Sequence, residues 1–159
     1  MRRRGRALLA VAALLATLMP AVSATAGAPA RPARPAREAM LYRLTAQGHF
    51  ASGARVRGHR FRINDVREII VETQWWYLTS DRTERVKLIT QEGHVYQEWE
   101  NTLAPAPGRR GRTQAAGTTR IPVAGTSITR HALTGRWRLE VWLDGDSQPR
   151  AVRPLSLTR

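Results

Sequence analysis

Arg136-Trp137-Arg138-Leu139-Glu140-Val141-Trp142-Leu143 alternates without a slip. Successive strand side chains point to opposite faces. Trp137, Leu139, Val141 and Leu143 therefore share one face, and Arg136, Arg138, Glu140 and Trp142 share the other. Burying each large apolar member contributes roughly 1.5–3 kcal/mol. Asp144-Gly145 follows at once and signals a hairpin, because Gly accepts positive φ. Ala151 to Thr158 is the expected return strand. Pro154 has no amide donor, so this last strand is expected at an edge or a bulge.

A second hairpin reads upstream. Arg85 to Thr90 carries Val86, Leu88 and Ile89, Glu92-Gly93 turns, and His94 to Glu100 resumes with Val95, Tyr96 and Trp99. Arg67 to Leu78 is rich in β-branched and aromatic residues. Leu41 to Phe50, Val56 to Ile63 and Thr118 to Val123 read as further strands. No helical period exceeds two turns. The total is about seven or eight short strands separated by turn residues, the pattern of an all-β sandwich or barrel. Leu103 to Gly117 holds Pro105, Pro107, Gly108, Gly111 and Gly117 without an apolar stripe, and is expected as a long exposed loop and a candidate contact surface.

Ahead of this domain, Arg2, Arg3, Arg4 and Arg6 precede an uncharged run from Ala7 to Met19, then Pro20 and the small residues Ala24-Thr25-Ala26. That is the layout of a secretory signal peptide over 1–26. The apolar run is shorter than the roughly 20 residues a bilayer span needs. The protein is expected to be exported, periplasmic or secreted, with no transmembrane segment after cleavage. Residues 27–39, rich in Pro, Ala and Arg, are expected as a disordered linker. Residues 40–159 form the single expected domain.

The chain has no cysteine, which excludes a disulfide framework, a thiol nucleophile, a Cys-based zinc site and a lipid anchor on cysteine. Its formal charge is +14, or +10 without the four signal arginines. That surplus favours anionic partners. Lys87 is the only lysine among 26 basic residues, a bias that reads as the codon usage of a GC-rich genome. The basic residues are scattered, and clusters such as Arg109-Arg110-Gly111-Arg112 are too short for a nucleic-acid footprint.

Leu133 to Gly145, with its Gly-x-Trp entering an alternating strand before an Asp-Gly turn, resembles the closing hairpin of immunoglobulin-like sandwiches in exported bacterial proteins. Trp75-Trp76-Tyr77-Leu78, then Val86 to Ile89, then Glu92 to Tyr96, resembles the middle of the same domains. The resemblance covers residues 60–158 and concerns a fold. It implies an immunoglobulin-like antiparallel β-sandwich serving as an accessory, adhesive or assembly module. Antibody-type domains pair two cysteines beside a buried Trp; here Trp75 or Trp76 would fill that position alone.

No catalytic signature, phosphate loop or dinucleotide fingerprint is present, and no cofactor or metal is expected. His49, His59, His94 and His131 lack the spacing of metal ligands and read as solvated turn residues. Glu98 and Glu100 share a strand face beside Trp99, the one carboxylate pair a small hydrolase could use; their spacing is that of any strand. Asp144-Gly145-Asp146-Ser147 offers oxygens to calcium but lacks the full ligand set. Trp75 and Trp76 must point to opposite faces, as must Trp137 and Trp142.

One member of each tryptophan pair is thus free for contact, and aromatics with arginine are enriched at interfaces. The expected function is a non-catalytic exported module that binds a protein or an anionic envelope polymer through Trp76, Trp142, Arg138, Arg109, Arg110 and Arg112. A small-ligand carrier built as a barrel, or a small exported hydrolase, are the alternatives.

Overall fold

The chain's computed structural model describes residues 37–108 and 111–159. The expected signal peptide and residues 27–36 of the expected linker lie outside them, as do Arg109 and Arg110. The elements run β1 (Met40–Phe50), β2 (Arg55–Arg57), β3 (Arg60–Arg62), β4 (Val66–Trp76), β5 (Arg82–Ile89), β6 (Val95–Leu103), β7 (Ala106–Pro107), β8 (Thr113–Pro122), α1 (Ser127–Arg130), β9 (Gly135–Leu143) and β10 (Ala151–Thr158). The alternating stretch read first is β9, and its inner set of Trp137, Leu139, Val141 and Leu143 is buried as expected.

Two five-stranded sheets form, in the orders β2-β1-β4-β8-β7 and β3-β10-β9-β5-β6. Without the three-residue strands β2 and β3, the chain order maps onto the immunoglobulin pattern. β1-β4-β8-β7 takes the places of A-B-E-D, and β10-β9-β5-β6 those of G-F-C with an added C′. The fold is an immunoglobulin-like β-sandwich. The sheets do not join into a barrel, and their inner faces share one core running from Leu44 and Ile69 to Leu139 and Leu157.

Three expectations about elements need correction. The single strand expected over Val56 to Ile63 is two. β2 pairs with β1 in the first sheet, and β3 runs parallel to β10 in the second. The bend at Gly58-His59 carries the chain across, which lets Phe61 drop into the core.

The long loop expected from Leu103 to Gly117 is much shorter, because β6 continues to Leu103 and β8 already begins at Thr113. Ala115 pairs with Trp75 and Gly117 with Thr73. The inward positions of this strand are small because Trp75 and its neighbours fill the space, so no hydrophobic period marks it.

The β9–β10 connection is longer than a two-residue hairpin, running from Asp144 to Arg150. Gly145 adopts φ +80°, which L side chains rarely take up. The Asp146 amide donates to the Leu143 carbonyl at 3.0 Å. Arg150 Nε and Nη2 donate to the Asp146 carboxylate at 2.7 and 2.8 Å, and Arg150 also bridges Glu38 at 2.8 Å. Asp146 is thereby engaged by arginine rather than free for calcium.

Those hydrogen bonds from Arg150 hold the Asp146 carboxyl below the usual aspartate range. A pKa that is lower folded than unfolded stabilises the fold above the unfolded value, about 3.9. That contribution disappears as pH falls through the folded value. Arg150→Ala is expected to return the Asp146 midpoint towards that of an ordinary aspartate in a carboxyl-detected NMR titration. An unmoved midpoint would assign the depression instead to the Leu143 amide, which donates to Asp146 Oδ2 at 3.3 Å.

Pro154 sits opposite Arg138 on β9, while β3 pairs with β10 only from Ser156 to Thr158. Where the donor is missing, the outer side of β10 has no ladder partner. Thr126 caps the single helical turn α1 by accepting from the Ile128 amide at 3.2 Å, and Ile128 anchors that turn in the core.

Thr73, Thr119 and one carboxyl-bearing residue, Glu84, interrupt the apolar interior among the described residues. Glu84 faces Leu143 and Asn101 across the ladders and is fully buried. Trp75 Nε1 donates to its Oε2 at 2.6 Å, and Asn101 Nδ2 to its Oε1 at 3.0 Å. Asn101 Nδ2 also reaches Thr119 Oγ1 at 2.8 Å. Buried polar atoms are tolerable only when so partnered. The network ties β4, β5, β6 and β8 across both sheets.

Candidate functional site

β4 ends in two adjacent aromatics that its alternation sends to opposite faces. Trp75 enters the core, and Trp76 stays half-buried on the outer face of the first sheet. The neighbouring strands then build around Trp76. The β1–β4 register slips between Leu41 and Arg43, so Tyr42 is the extra residue of a bulge. Bulges re-aim side chains. Here the Tyr42 ring lies on that of Trp76, with centroids 3.8 Å apart and planes 12° from parallel. From the other side of β4, just before β8, Arg112 places its guanidinium 4.7 Å from the Trp76 centroid. The Gly108 amide bonds to the Arg112 carbonyl at 2.7 Å, which holds the base of that loop closed.

Tyr77 extends the cluster. It takes φ +65°, an outlier for a bulky residue that persists only when its surroundings enforce it. Its amide donates to the Thr113 carbonyl at 3.0 Å, and its ring meets Trp76 edge-on at 6.3 Å. Arg37 lies 5.1 Å from the Tyr77 centroid and donates to its hydroxyl at 2.7 Å. Two arginines are thus held against aromatic faces. Stacking in this way orients the planar fork towards carboxylate or phosphate oxygens. Among the described residues Arg112 has no acidic partner within 4 Å. Beside the platform lies an open groove of about 300 Å³ lined by Gln74, Trp76, Ala104, Ala106, Gln114 and Ala116.

Trp142 and Arg138 lie elsewhere, on the outer face of the second sheet. Trp142 Nε1 donates to Glu140 at 3.2 Å, and Lys87 Nζ lies 5.1 Å from its ring centroid. Arg138 bridges Glu140 at 2.8 Å, and Glu98 bridges Lys87 at 3.3 Å and Arg85 at 3.7 Å. That face is a lattice of mutually paired charges. Of the six residues expected to make the contact, Trp76 and Arg112 come together, while Trp142 and Arg138 form a separate paired surface.

Tyr42, Tyr77, Arg37 and the two glutamines were not foreseen. The Trp76-Tyr77 step was visible in the sequence, but nothing there marks the bulge that swings Tyr42 over.

The hydrolase alternative has little to build on, since Glu98 is bound by two cations on a flat, exposed sheet face. His59, His94 and His131 occupy exposed turns. His49 corrects its expectation: it sits within β1 and its Nδ1 lies 3.0 Å from Glu68 Oε1. Glu68 also bridges Arg120 at 2.7 Å. The contact with His49, then Arg120, holds the Glu68 carboxyl below its usual range. Among the described residues, no three of His, Asp and Glu converge on a point where a metal could sit. No helix among them is long and apolar enough to cross a membrane.

No family model matches the chain, and no curated protein matches it. Solved structures of similar fold do. The C-terminal domain of Wzt is 13% identical, with 76% of this chain and 74% of that one covered and a TM-score of 0.49. An immunoglobulin-like protein from Pseudomonas aeruginosa is 12% identical, with 78% of this chain and 99% of that one covered and a TM-score of 0.43.

Proposed function

We propose that this chain is an exported, non-catalytic β-sandwich module that binds an acidic partner at the cell envelope, polymer or protein, through the platform around Trp76. The observation that carries this reading is the stack of Tyr42, Trp76 and Arg112 on an outer sheet face, with the Arg112 fork unengaged by any described carboxylate. A stacked guanidinium has already lost part of its rotamer freedom, so less is lost when it grips an anion. The +10 surplus outside the signal segment supports attraction to an acidic partner at longer range. Export rests on the arginine-rich start, the short apolar run and the small residues up to Ala26.

Co-sedimentation of the full-length protein with polygalacturonate, with dextran as the uncharged control, tests the reading. Binding to the acidic polymer is expected and should weaken as salt rises. Arg112→Ala should reduce affinity roughly tenfold, the size of a charge-assisted hydrogen bond. Trp76→Ala should do the same by releasing Arg112. Arg138→Ala, on the self-paired face, should change little. Equal binding by the Arg112 and Arg138 variants would remove the platform from the function.

A further inference from the structure

A second opening begins at Leu44, two residues along β1 from Tyr42. A cleft of about 230 Å³ separates β1 and the β2–β3 bend from β9 and β10. Its apolar lining comes from Leu44, Ala46, Leu139 and Pro154, and Arg57 and Arg153 stand at it with His59. Among the described residues no acidic side chain lines it.

Arg153 is the anomaly. It pairs directly with Leu139, and residues opposite each other in an antiparallel ladder share a face. Leu139 is buried in the core. The β10 positions on the Leu139 side thus read Ala151, Arg153, Leu155 and Leu157; Leu155 and Leu157 are buried, whereas Arg153 is exposed where the cleft opens. Among the described residues neither Arg153 nor Arg57 has a carboxylate within 4 Å. Exposed at the mouth of the cleft, the Arg153 guanidinium keeps its water while its stem lies along apolar surface, so an anion entering there would take the place of that water.

We propose that this cleft is a binding site for a small amphipathic anion. Its carboxylate or phosphate sits on Arg153, with Arg57 adding charge at the rim, and its short apolar tail lies against Leu44, Ala46 and Leu139. The volume sets the size. At roughly 30 Å³ per water-sized group the cleft takes on the order of eight non-hydrogen atoms, the size of hexanoate. The site is independent of the Trp76 platform.

Methyl NMR of the full-length protein, titrated separately with hexanoate, hexyl phosphate, hexanol and acetate, tests this. Hexanoate or hexyl phosphate should shift the Leu44 and Leu139 methyls saturably. Hexanol, lacking the charge, and acetate, lacking the tail, should each bind roughly tenfold or more weakly. Arg153→Leu, which removes the charge, should keep the fold and lose the preference for the anions over hexanol. Ala46→Leu, which fills the cleft and leaves Arg153 in place, should abolish the methyl shifts. No saturable shift with either anion, or an unchanged preference in Arg153→Leu, would overturn the proposal and leave Arg153 as a residue that reaches out to water.

Discussion

Trp75→Ala is expected to lower the unfolding free energy by about 5 kcal/mol, enough to leave a domain of ordinary stability largely unfolded. Two losses add. Trp75 is completely buried, and truncating such a side chain leaves a cavity at a cost of about 3–5 kcal/mol. Its indole N–H also donates to Glu84 Oε2 at 2.6 Å. Removing the donor leaves a buried carboxyl oxygen without that partner, at about 1–3 kcal/mol. Trp75→Phe separates the terms, since it keeps most of the volume and loses the donor; its cost should be near the second figure alone. Urea unfolding monitored by circular dichroism reads both, with the slope unchanged if only native stability moves. A loss below about 2 kcal/mol for Trp75→Ala would show that the indole does not bind the sheets together.

The same residue shows what the sequence can and cannot disclose. Adjacent Trp75 and Trp76 had to diverge, and the alternation of β9 had to bury Trp137 and expose Trp142's side of the strand. Both follow from strand geometry alone, and both hold. The sandwich was legible because its central strands carry bulky residues at every second position. The first half of β8 was not legible, because Ala115 and Gly117 are inward residues chosen for smallness. Their reason lies on another strand, in Trp75 and Glu84.

Glu84 itself was invisible as a core residue. A charged residue type on a strand reads as outward until its partners, 9 and 17 residues away, are brought against it.

The platform was half legible for a similar reason. The Trp76 face and its neighbourhood with basic residues follow from composition and parity. The bulge that turns Tyr42 over Trp76 is a register slip between two strands, and a single strand's sequence carries no record of its partner's register. Trp76 and Trp142 stand on separate surfaces, which the sequence did not disclose because parity assigns a face within one sheet and cannot say which sheet a strand joins. β4 and β9 lie in different sheets, so their outer faces look away from one another.

Gly117→Ala is expected to destabilise the domain by about 3 kcal/mol, a large effect for one methyl group. The added Cβ would press directly on Glu84 Oε1 and stand 2.7 Å from Thr73 Oγ1, both far inside ordinary contact. Neither neighbour can retreat cheaply. Glu84 is held by Trp75 and Asn101, and Thr73 lies in the middle of β4, directly opposite Gly117. Overpacking of this kind costs about 1–3 kcal/mol, and displacing Glu84 also strains two buried hydrogen bonds.

A double-mutant cycle identifies the cause. Glu84→Ala alone should destabilise, because it leaves the Trp75 and Asn101 donors without their acceptor. In that background Gly117→Ala should cost about 1 kcal/mol, since the carboxyl it collides with is gone and only the contact with Thr73 Oγ1 remains. The expected coupling is therefore about 2 kcal/mol, well above the few tenths that independent sites show. Additive costs in chemical denaturation would mean that Gly117 is required for its backbone alone and not by the buried carboxyl group.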